Sequence, residues 1–227
     1  MTHHFHTQLL RETEPDQIHF MSIPLIRHAV VNGVDRGLYL EYLVSAYHHV
    51  KHTCPLLGLA LSRCGVADQP YRAGLLAYLE EEKGHEDWIL DDIRALGGNP
   101  EAVRIALPSF SVRMMIAYAN YAIEHISPYA MLGMVHVLEG MSVALARAAA
   151  SAIQTSLGID PASGGFSYLT SHGHLDEDHV AAFMVLLDQI DTLERRAVVI
   201  QAAKDFYHLF GNVFRELAEN TEVGHAL

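Results

Sequence analysis

The chain has 227 residues, half of them hydrophobic, which suits one large domain with a sizeable core. Its 15 Lys and Arg residues against 27 Asp and Glu residues give a formal charge of −12. That balance argues against a nucleic-acid-binding protein, because such a protein needs a basic face. The first residues lack an apolar signal core and no run of 18 apolar residues occurs, so we expect no membrane-spanning helix. With two cysteines and no disulfide framework, we expect a cytoplasmic location.

Breaker residues separate long helical patterns along the whole chain, and strand-like alternation is nearly absent. We therefore predict an all-α bundle of about seven helices, forming a single domain over residues 1–227. The predicted elements, in order, are an N-terminal arm or short helix over 1–14 and helices over about 16–32, 37–64 (bent near Pro55), 70–96, 111–125, 128–155, 171–190 and 191–218.

The stretch 171–179 is rich in metal-binding residue types and begins one of these helices. At about 100° per residue, His172 falls within about 20° of His179, and Asp176 falls at about 60°. The three lie on the same face as later apolar residues of that helix, whereas the remaining charged residues face the other way. The stretch is thus either a solvated acidic helix start or one side of a buried metal site.

The predicted helix 70–96 places Glu82 in the middle of its apolar stripe and His85 at the edge of that stripe. Glu-x-x-His is a spacing at which two side chains on one helix reach a common metal. Glu86 also faces inward, at about 40° from Glu82, and is a rival ligand or a supporting group.

Glu139 is the one carboxylate between His125 and Asp160, in the middle of a very apolar predicted helix. A buried carboxylate needs a proton, a cationic partner or a metal. Arg147, two turns on, is a candidate partner, and His136 is a candidate packing or supporting residue. Glu139 therefore favours a metal site without excluding an ion pair.

Together these helices supply three carboxylates and three imidazoles. Oxygen and imidazole ligands without a thiolate suit iron or manganese, whereas structural zinc sites mostly use cysteine. Six ligands fit two metals bridged by a carboxylate better than one metal with open positions, and Glu139 is the natural bridge. The candidate ligands are Glu82, His85, Glu139, His172, Asp176 and His179.

At these residues the sequence resembles the haem-oxygenase-like diiron oxidases, over about Pro24 to Phe214. That superfamily shares a seven-helix bundle with haem oxygenase, the thiaminase TenA and pyrroloquinoline-quinone synthase. The nearest likeness is to the fatty-acid decarboxylase type that forms 1-undecene, which has the same Glu-x-x-His spacing. The chlamydial para-aminobenzoate-making type has Glu-x6-His instead, and Tyr78 stands at that glutamate position here. The shared segments are Tyr42-x-x-x-Ala46-Tyr47-His48-His49-Val50, Glu81-Glu82-x-x-His85-Glu86-x-Trp88, Leu138-Glu139-Gly140 and His172-x-x-x-Asp176-x-x-His179.

The resemblance implies a non-haem oxidase or oxygenase that uses O2 and two iron ions, the second held loosely. It implies a small-molecule substrate (fatty acid, amino acid or aromatic acid) attacked at a C–H or C–N bond. Glu82, His85 and Glu139 would act with His172, while Asp176 and His179 would complete the second iron. The substrate would lie between the helices, and its candidate neighbours are Tyr47, His48, His52, Glu86 and His136.

Other functions on the same fold remain open. A haem enzyme would use His28 as the axial ligand and the glycines at 164–165 as the distal kink, with haem replacing the iron pair. A thiaminase would need Cys54 or Cys64 as a nucleophile. A cofactor-free quinone-synthase-like enzyme, or a non-enzymatic metal- or ligand-binding bundle, is a further alternative. Manganese could replace iron, and a homodimer is compatible with the sequence.

Overall fold

The computed structural model describes residues 4–160 and 163–220, without the side chains of residues 172–182. Within these ranges the regular structure is helical throughout, with a 3₁₀ turn over Val66–Asp68 and a π-helical turn over Ala122–Ile126. The α-helices are α1 (Phe5–Met21), α2 (Pro24–Asn32), α3 (Arg36–Val50), α4 (Thr53–Arg63), α5 (Gln69–Glu82), α6 (His85–Ala95), α7 (Pro100–Ile105), α8 (Phe110–Tyr121), α9 (Ala130–Leu157), α10 (Ser167–Asp188) and α11 (Leu193–Glu219).

Helix α9 is the central element of the bundle. It packs most extensively on α10 and α11, and also on α2. By length and composition alone α9 could cross a membrane, but most of its apolar stretch is buried inside the protein, as in the core helix of a bundle. Its burial explains why the sequence of α9 is apolar on nearly every side.

The contact between α9 and α11 depends on Gly133. A Cβ at that position would lie 2.6 Å from Cβ of Ala202 and 2.6 Å from the backbone nitrogen of Ala203. Real Cβ atoms do not approach that closely, so the two helices can pack at this distance only over a glycine. Close packing here fixes the depth at which α9 sits in the bundle.

The all-α bundle predicted from the sequence is confirmed, and the described residues form more helices than the seven or so expected because long predicted helices are divided. The predicted helix 37–64 is divided into α3 and α4 at residues 51–52 rather than bent at Pro55. The predicted helix 70–96 is divided into α5 and α6 at Gly84, whose φ of 90° is left-handed. Each long amphipathic pattern continues across its break because the two shorter helices bury the same side.

The arm or short helix expected over residues 1–14 belongs to α1 from Phe5 onward, and α1 continues through Pro15. The start of α1 is attached to the end of α10 by Asp188. The backbone N–H of His6 donates to Oδ1 of Asp188 at 3.0 Å, and Nδ1 of His4 lies 2.6 Å from Oδ2. The carboxylate therefore caps α1, which has no cap from its own N-cap side chain.

Candidate metal centre

The Glu-x-x-His pair spans the break between two helices. Glu82 is the last residue of α5, His85 is the first residue of α6, and both side chains are buried. Oε2 of Glu82 lies 3.2 Å from Nδ1 of His85, and the ring of Trp88 stacks on His85 with centroids 4.2 Å apart. The two predicted ligands therefore do meet, although they do not share a continuous helix.

Glu139 lies midway along α9 with 6% of its surface exposed. The hydroxyl of Tyr78, on α5, donates a hydrogen bond to Oε1 of Glu139. Arg147, the alternative cationic partner, is exposed to solvent, whereas Glu139 is buried. Tyr78 was noted in the sequence only because it replaces a glutamate of the related type. In the structure it holds the orientation of the central carboxylate.

Glu82 and Glu139 line one cavity of about 40 Å³, together with His49, Tyr78 and Tyr168. Oε1 of Glu82 is buried and has no hydrogen-bond partner among the described residues. An ionised carboxylate oxygen left without a partner in a buried site is costly, and a divalent cation would remove that cost. Two buried carboxylates and an adjacent imidazole are also the ligand types that iron and manganese prefer. The residues of this cavity therefore fit a metal ion.

The other three candidate ligands, His172, Asp176 and His179, are residues of α10. Their side chains lie outside the described residues, so their part in the site stays a prediction. Helix α10 does pack on α9, α5 and α6, the three helices that carry Glu139, Glu82 and His85. Tyr168, near the start of α10, lines the cavity directly.

The described ligands are not gathered into one compact cluster. Among the described residues, the group whose ligand atoms all lie within 4.8 Å of one another is His4, His6 and Asp188, at the capped end of α1. Glu82, His85 and Glu139 are more widely spread.

His49 lines this cavity, although the sequence offered it only as part of a shared segment and not as a candidate ligand or substrate neighbour. Its Nδ1–H donates to the carbonyl oxygen of Ser45 at 3.1 Å, which leaves Nε2 as the acceptor nitrogen. A backbone carbonyl on one ring nitrogen is the arrangement that fixes the tautomer of metal-binding histidines. The signal in the sequence was weak, because His48 and His49 are adjacent and only the packing of α3 decides which one faces inward.

A larger, apolar cavity of about 120 Å³ adjoins the first, between α2, α3, α9 and α11. His49, Leu138, Ser142 and Tyr168 line both cavities and so form the boundary between them. Most of the other wall residues are aliphatic or aromatic. His28, the candidate axial ligand for haem, is not among the residues that line this cavity.

The predicted substrate neighbours are not gathered around the cavity that Glu82 and Glu139 line. Tyr47 packs in a second hydrophobic cluster and Glu86 is partly exposed. His136 is buried next to α1, and His48 and His52 line a separate cavity beside α8. Helix geometry explains why His48 and His49 line different cavities, because adjacent residues of α3 point to different sides of the helix.

The thiols do not have the character of nucleophiles. Burial raises the pKa of Cys64 to about 11. Burial also raises the pKa of Cys54, and the nearby carboxylates of Glu86 and Glu82 raise it further. A catalytic cysteine needs a depressed pKa, so the thiaminase-like alternative has no support from these two residues.

The family model of iron-containing redox enzymes matches residues 40–211. No curated protein matches the chain by sequence. Among solved structures, a domain of unknown function with a haem-oxygenase-like fold from Shewanella denitrificans has a TM-score of 0.86 at 21% identity, covering 96% of this chain and 94% of its own.

Two further solved structures have the same fold. A TenA homologue from Pseudomonas syringae has a TM-score of 0.79 at 12% identity, with 95% of this chain and 93% of that chain covered. Haem oxygenase-1 from Synechocystis, in complex with haem, has a TM-score of 0.75 at 11% identity, with 96% and 94% covered. At these identities the likeness shows the fold alone.

Proposed function

The chain belongs to the family of iron-containing redox enzymes with a haem-oxygenase-like fold, and on this premise we propose that it is an O2-dependent non-haem oxidase or oxygenase with a pair of iron ions. The observation that carries the proposal is the buried Oε1 of Glu82, which lacks a partner among the described residues and belongs to a side chain lining one cavity with Glu139. A cation at this cavity would be the partner that Glu82 needs.

In this proposal Glu82 and His85 would hold one iron, Glu139 would be shared by the two, and His172, Asp176 and His179 would complete the set. Iron, when bound, supplies the activation of O2. The protein's own part is to hold the ligands. The hydrogen bond from Tyr78 orients Glu139, and the stacked ring of Trp88 limits the rotation of His85.

The substrate is proposed to lie in the apolar cavity, with its reactive end at the boundary residues His49 and Ser142. Among the three substrate classes implied by the resemblance, the aliphatic and aromatic walls favour a fatty acid or an aromatic acid over an amino acid. An amino acid would bring an ammonium group, and the described wall of this cavity offers no carboxylate to pair with it. A reaction like that of the fatty-acid decarboxylases that form 1-undecene would fit a fatty acid bound in this cavity.

The test is anaerobic reconstitution of tag-free protein with Fe(II), followed by iron analysis and by O2 uptake in the presence of fatty and aromatic acids. We expect two irons per chain, and we expect Glu139→Ala to lose iron and O2 uptake while its far-UV circular dichroism is unchanged. Glu81→Ala, which removes the exposed carboxylate next to Glu82, is the matched control and should keep both.

Two results would count against the proposal. Wild-type protein that binds no iron would remove its basis, and so would a Glu139→Ala variant that keeps both irons and full O2 uptake. Titration with haem separates the leading alternative, because a tight complex with a Soret band would favour a haem enzyme instead.

A further inference from the structure

A third cavity, of about 250 Å³, lies on another side of α3, against α8. It is close to the lower end of the size range for small-molecule pockets, about 300 Å³. Its polar wall residues are His48, His52, Arg113 and Asn120, and its apolar wall includes Pro108 and Val112. Nothing in the proposed metal centre uses this cavity, because it shares no lining residue with the cavity of Glu82 and Glu139.

His48 is 1% exposed, and its two ring nitrogens have different surroundings. Nζ of Lys51 lies 3.1 Å from Nδ1. An ammonium group can only donate, so Nδ1 is the acceptor and the ring proton is on Nε2. Nε2 is buried and has no hydrogen-bond partner among the described residues. His48 thus provides a buried N–H donor that lacks an acceptor.

The charges around this cavity have the opposite sign to the protein as a whole. Arg113 lines the cavity. Lys51 is not a lining residue, but its Nζ contacts Nδ1 of the lining residue His48 and lies 5.0 Å from the centroid of the Tyr47 ring. Asn120 adds an amide donor. The described lining contains no carboxylate. A ligand for this cavity must therefore bring acceptor oxygens, and a negative charge would improve its binding.

We propose that this cavity binds a small organic carboxylate. The carboxylate would accept the Nε2–H of His48 and pair with the guanidinium of Arg113. Its hydrocarbon body would pack on Pro108 and Val112. The apolar share of the wall favours an organic acid over inorganic phosphate, which has no surface to place there.

The experiment is calorimetric titration of tag-free protein without iron, with benzoate and hexanoate as probes. Benzamide and hexanamide are the uncharged counterparts, and inorganic phosphate is the second anion. We expect the acids to bind at least about ten-fold more tightly than the amides, and Arg113→Gln to weaken the acids by about ten-fold or more. Arg113 is exposed, so this variant should fold normally.

His48→Phe, which removes the buried donor, should also weaken the acids, and its fold is checked by circular dichroism. Arg27→Gln removes one exposed charge on α2, outside the cavity, and should leave binding unchanged. Equal binding of acids and amides would overturn the proposal, as would full binding by Arg113→Gln, binding of phosphate alone, or no binding of either acid. Because no iron is present, failure here is distinct from failure of the proposed oxidase.

Discussion

Oε2 of Glu82 lies 3.2 Å from Nδ1 of His85, although the two residues belong to different helices. Gly84, between them, has a φ of 90°, and this left-handed residue ends one helix and begins the next. The turn brings a carboxylate and an imidazole together at a helix junction, where the backbone can hold both side chains inside the bundle. The metal centre thus depends on a local break in regular structure.

Gly84→Ala should therefore affect both stability and metal binding. A Cβ at this position would meet no atom within 4 Å in the part of the chain that the structure describes, so the cost is the backbone strain of a left-handed alanine, about 1–2 kcal/mol. Urea denaturation measures this loss of stability. Iron titration should show weaker binding, because relaxation of the strained turn at Gly84 would shift Glu82 relative to His85. Gly58→Ala, inside α4 with equally open surroundings, is the control and should stabilise by about 0.5–1 kcal/mol. Unchanged stability in Gly84→Ala would contradict the strained turn.

Tyr78→Phe removes the hydrogen bond to Glu139 without changing the packing of the ring. We expect the free energy of unfolding to fall by about 1–3 kcal/mol, and the affinity for Fe(II) to fall by about ten-fold or more. Tyr118→Phe is a matched control, because the Tyr118 hydroxyl donates to the carboxylate of Asp205 and neither residue lines the cavity of Glu82 and Glu139. It should lower stability similarly and leave iron affinity unchanged. Equal iron affinities in both variants would mean that Tyr78 does not orient a ligand.

Gly133→Ala should be strongly destabilising, because the new methyl group would overlap Ala202 and the backbone of Ala203 on α11. Overpacking of this kind costs about 1–3 kcal/mol and here could exceed that range, since backbone cannot move aside as a side chain does. Gly140→Ala, in the same helix with no atom of the described residues within 4 Å of its Cβ, should instead stabilise by about 0.8–1 kcal/mol. Thermal unfolding measures both the destabilisation by Gly133→Ala and the stabilisation by Gly140→Ala. A neutral Gly133→Ala would show that α9 and α11 are less closely packed than described.

The stability of the protein should fall as the pH falls below about 6.5, and His136 should contribute to that fall. Burial lowers the pKa of His136 from 6.5 to about 4. Its Nε2–H donates to Oγ1 of Thr13 at 3.2 Å, because that hydroxyl donates its own proton to the carbonyl of Leu9. The unfolded chain takes up a proton at higher pH than the folded chain does, so acid favours unfolding between about pH 6.5 and pH 4.

His136→Gln removes this titration and should flatten the dependence of unfolding free energy on pH. The wild type should lose about 1–2 kcal/mol more than the variant between pH 6.5 and pH 5. Urea denaturation over that range measures the difference. The exposed His208, replaced by Gln, is the control and should leave the slope as it is. A variant with the wild-type slope would mean that His136 is not held neutral by burial.

The amino-acid sequence was sufficient for the all-α bundle and for the inward positions of Glu82, His85 and Glu139. Periodicity carries that information, because a carboxylate in the middle of an apolar stripe must be buried whichever way the helices are arranged. The same periodicity could not reveal the break at Gly84. The apolar pattern runs on across the break, and a single glycine is a weak stop signal.

Only the tertiary structure decided which polar residues meet. It placed His49 rather than His48 at the cavity of Glu82 and Glu139, and it brought Tyr78 to Glu139 from another helix. Adjacent residues leave a helix about 100° apart, so a small rotation of α3 decides which histidine faces the site. Contacts between helices distant in sequence depend on how the whole bundle packs, and the pattern within any one helix does not contain that information.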